Sequence, residues 1–213
     1  MKLSEFIEKY PGYKPYVEFL KNFFEKPVDE IYVYSFGEAA ELGYVAGENV
    51  MGFADPPDKV FFREMPPPLH TFIHELIHLC RKPPIVGEEV YAYNLVNLVI
   101  FCVEKGIKCN PFALFTLTVN DIERVLRKYG VQSIEEYYLV FGIMPFDYVI
   151  DFDEEGKIVR IKPSGDLIRD SHYERRVVEV FVTELIAGIP YYTDESLEAK
   201  ILLDLIRVAG GSG

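Results

Sequence analysis

The sequence predicts an α+β fold, with a small mixed sheet in its first half and a mostly helical second half. Short runs with strand-like alternation, closed by Pro, Gly and Asp, fall mainly before residue 65. Apolar residues at helical spacing dominate most of the chain beyond it. The composition, 49% hydrophobic and 26% charged over 213 residues, is rich enough to fill a core. That length suits one domain, or a compact unit with a helical extension.

Taken in chain order, helices are expected near Ser4–Lys9 and Pro15–Phe24, the second with Phe19, Leu20, Phe23 and Phe24 on one side. Ile31 to Phe36 reads as a strand. Two more strands are expected around Val50–Ala54 and Lys59–Arg63, separated by the turn-forming Asp55-Pro56-Pro57-Asp58. Pro66-Pro67-Pro68 opens a helix from about Pro68 to Cys80, since proline is tolerated in a first helical turn. The next helix begins after Gly87 and continues to about Glu104, where Gly106 ends it.

Beyond Phe112–Leu117, the best candidate junction, Thr118 is placed to cap a helix carrying Ile122, Val125 and Leu126. Ser133 with Glu136 has capping-box spacing. Tyr148 to Pro163 alternates like a β-hairpin around Glu154-Glu155-Gly156, and long helices are expected over Ser171–Ala187 and Asp194–Val208. The chain is thus expected to divide into a first region over 1–111 and a helical region over 112–213 packed on it, or to form one single domain.

A formal net charge of −12 argues against binding nucleic-acid backbones or an anionic membrane surface, both of which ask for basic patches. The most apolar stretch, Leu95 to Val103, is far shorter than the roughly 20 residues needed to span a bilayer. Met1 to Pro15 lacks the apolar core of a secretory peptide. Cys80, Cys102 and Cys109 show no CxxC pairing. A Cys102–Cys109 bridge is compatible with the sequence, but reduced thiols and a cytoplasmic location are the expected state.

Chemistry concentrates at His74-Glu75-Leu76-Ile77-His78. Residues four apart on an α-helix lie about 40° apart around the axis and roughly 6 Å along it, so two imidazoles can converge on one metal. Glu75, one residue round from His74, can then take a proton from a zinc-activated water. A surface helix with two histidines and a glutamate would read the same in five letters. Phe72, Ile73, Leu76, Ile77 and Leu79 argue otherwise, because they make this helix almost wholly apolar and therefore buried. Polar groups there need partners, since each unsatisfied one costs about 1–3 kcal/mol, and a zinc ion supplies them at once.

Thr71 to Cys80 resembles the longer signature of the zincin metallopeptidases, with two uncharged residues, Leu76 and Ile77, between Glu75 and the second histidine and a hydrophobic residue after it. The resemblance implies a zincin-like core, in which the active-site helix lies beneath a small sheet whose edge strand binds extended substrate. It also implies one Zn2+ held by His74 and His78, with Glu75 as general base. Metzincins continue with a glycine and a third histidine, where this chain has Cys80-Arg81-Lys82-Pro83-Pro84. The upstream cysteine segment of peptide deformylases is absent as well. Gluzincins take a glutamate from the next helix, and Gly87 to Asn94 is similar to that glutamate helix, above all in the minimal archaeal gluzincins with their short connection. By that match Glu89, three residues before Ala92, is the third ligand. Helix-face geometry instead favours Glu88, and acidic residues in a first turn also suit the helix macrodipole without any metal.

Other features are weaker. Asp151 to Gly156 echoes the start of a calcium loop, but its twelfth position is Lys162 and the flanking alternation reads as a hairpin. His172 and Tyr173 have the chemistry of a proton donor or oxyanion stabiliser, although no spacing rule supports them. His70, one turn before His74, reads as a solvated helix residue, and Tyr91 and Tyr93 read as core aromatics. The expectation is therefore a zinc metallopeptidase acting on peptide or protein substrates. The alternative is a latent or non-catalytic zincin-like zinc-binding module.

Overall fold

The computed structural model describes residues 1–82, 88–141, 148–152, 158–163 and 173–210; within these, side chains of 88–91, 140–141, 148–152, 158–163, 173 and 176 are outside the description. The chain divides into two compact units, Met1–Pro111 and Phe112–Gly213. Among the described residues, no helix is long and apolar enough to cross a membrane.

The first unit opens with helices α1 (Leu3–Lys9) and α2 (Lys14–Leu20), followed by strand β1 (Tyr32–Ser35) and a short helix α3 (Phe36–Glu41). Strands β2 (Gly52–Asp55) and β3 (Lys59–Phe62) then precede α4 (Leu69–His78) and α5 (Glu88–Lys105). The expected strands are all present within a residue or two of their predicted ends. Helix α3 is an addition, and its cause is local. The Ser35 hydroxyl accepts from the Glu38 N–H at 3.3 Å while the Glu38 carboxylate accepts from the Ser35 N–H at 2.7 Å, a reciprocal cap that starts a helix directly after a strand.

The sheet runs β1-β3-β2, with β1 parallel and β2 antiparallel to the central β3. Side chains alternate across it, as a pleated strand requires. Phe62 points toward α4, where its ring lies 5.9 Å from Phe72. Phe61 points to the other face, stacked on Phe53 at 4.5 Å and Tyr34 at 5.3 Å. On β2 the same alternation puts Gly52 toward α4 and Phe53 away from it. The far edge of β1 is partly covered by a bridge from Lys2 to Tyr32, so β2 is the open edge among the described residues.

The second unit contains α6 (Val119–Arg127), α7 (Ile134–Phe141), the antiparallel strands β4 (Tyr148–Phe152) and β5 (Ile158–Pro163), α8 (Tyr173–Ala187) and α9 (Leu197–Ala209). Thr118 caps α6 through a reciprocal bond with Asp121, as its spacing predicts. Helix α6 packs against α7, α8 and α9, burying Ile122, Val125, Leu126, Phe181, Val182, Leu202 and Leu205. The Asp204 carboxylate accepts from the Tyr129 hydroxyl at 2.9 Å, fastening the end of α6 to α9.

Candidate metal centre

Helix α4 is positioned from both ends. Before it, the Tyr13 hydroxyl donates to the Pro67 carbonyl, and Phe72 stacks on Phe6 at 5.1 Å with Tyr13 edge-on at 4.7 Å. After it, the Arg81 N–H donates to the Phe23 carbonyl at 2.8 Å, and Phe24 bridges Cys80. Phe72, Ile73, Leu76 and Ile77 are fully buried, which fixes the rotation of the helix. That rotation places His74 and His78 half-exposed on one side.

On that side the two imidazoles converge, with Nε2 of His74 3.2 Å from Nε2 of His78. Glu75 joins them with only 5% of its surface exposed, and one ligand atom from each of the three residues lies within 4.8 Å of the others. This group could hold a metal ion. It borders a cleft of about 470 Å³ lined by Val50, Gly52, Phe53, Ala54 and Pro56 on one side, and by His74, Glu75 and His78 on the other. The chain entering β2 is held by Arg63, which donates through Nε to the Val50 carbonyl and through Nη2 to that of Gly47, both at 2.8 Å.

The remaining candidates are distributed differently. Glu88 and Glu89 open α5, which packs against α4, but their side chains lie outside the described residues. His172 and the Tyr173 side chain lie outside them too. His70 is half-buried, with burial holding its pKa below the usual histidine range, and its ring sits 5.1 Å from that of Tyr93. Tyr93 departs from the core reading. It is 60% exposed, its ring 6.5 Å from that of His74, because α5 turns this position outward beside α4. Cys102 and Cys109 are free thiols with sulfurs 3.2 Å apart.

Sequence reasoning missed the contact between Gly52 and Glu75. The available signal was the glycine itself, since glycine inside a strand often marks a close backbone approach. What it approaches cannot be read from the strand alone.

No family model, curated protein or solved structure matches this chain.

Proposed function

We propose that the chain is a zinc-dependent metallopeptidase of the gluzincin type, with His74, His78 and Glu89 holding the metal and Glu75 as general base. The carrying observation is the convergence of two imidazole nitrogens beside a buried carboxylate, along the open edge of a sheet. Nitrogens 3.2 Å apart, each about 2.0–2.1 Å from one ion, subtend about 100° at it, close to the tetrahedral angle zinc favours. Two imidazoles and a carboxylate also suit zinc as a donor set. For the remaining ligand, α5 packs against α4 and begins with Glu88 and Glu89, and the gluzincin resemblance favours Glu89.

When bound, zinc polarises the scissile carbonyl and makes water a competent nucleophile at neutral pH. Glu75 accepts the proton of the attacking water and delivers it to the departing amine nitrogen. Strand β2 offers an extended peptide its unpaired backbone groups, and the small helix-facing residues Gly52 and Ala54 leave room for it beside the histidines. Cysteine usage favours a cytoplasmic setting.

The test is Glu75→Gln. It should retain one zinc per chain while turnover of unstructured peptides falls by about 10³-fold or more. Unchanged turnover would remove Glu75 from this role. A wild-type protein that binds zinc but hydrolyses no peptide would be a non-catalytic zinc-binding module instead.

A further inference from the structure

We infer that Gly52 is a positioning residue, whose missing side chain lets β2 pass close enough to Glu75 to hold its carboxylate in line with the two imidazoles. This rests on the metallopeptidase reading for its consequence, though the contact itself does not. A Cβ built on Gly52 would stand 3.0 Å from Glu75 Cγ, 3.1 Å from Glu75 Oε1 and 3.0 Å from Phe62 Cδ1. All three distances are tighter than carbon side chains normally tolerate, so a neighbour must move. Phe62 is the less able to do so. It is fully buried, paired with Gly52 across the strands and packed toward the Phe72 ring. Glu75 is therefore displaced.

The backbone at Gly52 gives no independent reason for glycine. The glycines with positive φ among the described residues are Gly43, Gly106 and Gly130, so at Gly52 an alanine meets a space restriction and no conformational one. Its neighbour on the same face, Ala54, carries a Cβ and still lines the cleft. The restriction is thus local to the point where the strand crosses Glu75. Catalytic groups need placement to within about 0.5 Å, and a displacement of a few tenths of an ångström uses most of that tolerance.

Gly52→Ala is the test, read in two ways. Zinc content should stay at one per chain with affinity within threefold of wild type. On an unstructured peptide, kcat should fall about tenfold or more while KM stays within threefold, because the groups that hold the metal and line the cleft are retained. Independently of activity, Gly52→Ala should lower the Tm of the metal-free protein by about 3 °C. In a Glu75→Ala background, which removes Cγ and Oε1 and leaves only the Phe62 contact, that penalty should be clearly smaller. Equal Tm penalties in both backgrounds would overturn the inference, as would unchanged kcat in an active enzyme. Should wild type hydrolyse nothing, the metallopeptidase reading falls and the two-background Tm comparison alone decides whether Gly52 positions Glu75.

Discussion

Each of the two units buries a glutamate on an apolar helix, and the two are stabilised by different means. Glu179 on α8 is 8% exposed, and its carboxylate is reached by Arg175 at 3.2 Å, one turn earlier on the same helix. Glu75 on α4 is 5% exposed, grouped with two imidazoles and closely approached by β2 at Gly52, where an added Cβ would stand 3.0 Å from its Cγ. The first is a local solution: an acid and a base four apart, with the Arg half-exposed to water. The second brings together an i−1 and an i+3 side chain and a strand from elsewhere in the unit. A buried carboxylate alone therefore says little about function. What distinguishes Glu75 is the convergence of further donors upon it and a cleft beside them.

That contrast sharpens into separable outcomes. The largest effect should come from the proposed third ligand. Glu89→Ala should weaken zinc affinity beyond the about 10–100-fold typical of outer-shell losses, while Glu88→Ala should leave it within a few-fold. Isothermal titration of both variants checks this, and reversed outcomes would make Glu88 the ligand. A smaller effect is expected at the other buried carboxylate. Glu179→Gln should lower stability by about 1 kcal/mol, discounted for the exposure of Arg175, without altering zinc content. Urea unfolding alongside metal analysis would show it, and loss of zinc there would erase the distinction between the two glutamates.

The smallest effect concerns the exposed α6 cap, where Thr118→Ala should cost about 0.5 kcal/mol, at the low end for such caps. The same cap carries a pH signature. Hydrogen bonds from the Thr118 N–H, then from its hydroxyl, hold the Asp121 carboxyl below the ordinary aspartate range. A depressed acid contributes stability that is fully present above its unfolded pKa of about 3.9 and lost as pH falls through the lower folded value. Asp121→Asn should flatten that part of the stability profile below about pH 4 and leave zinc binding at neutral pH unchanged.

How much of this was legible in the sequence depended on the range of the interaction. The HExxH spacing, the cap at Thr118 and the turn at Asp55–Asp58 are local, and the chain shows them directly. Gly106, at φ +66°, ends α5 where the sequence predicts a helix-terminating glycine. Helix α3 is equally local and equally readable from Ser35 and Glu38, yet the preceding strand pattern masks it. The exposure of Tyr93 and the close approach of Gly52 to Glu75 were not readable. Both depend on how one element crosses another, which residue spacing within either element does not encode. Glu89 falls between these cases: its helix is where the sequence puts it, and its role rests on the gluzincin resemblance.

The central claim is that His74, Glu75 and His78 belong to a metal site, and zinc stoichiometry tests it most directly. The wild-type protein, stripped by chelator and then titrated with Zn2+, should bind one ion per chain, and the His74→Ala/His78→Ala double variant should bind none at the same concentrations while melting cooperatively. Stoichiometric zinc in that double variant, or none in the wild type, would contradict the account.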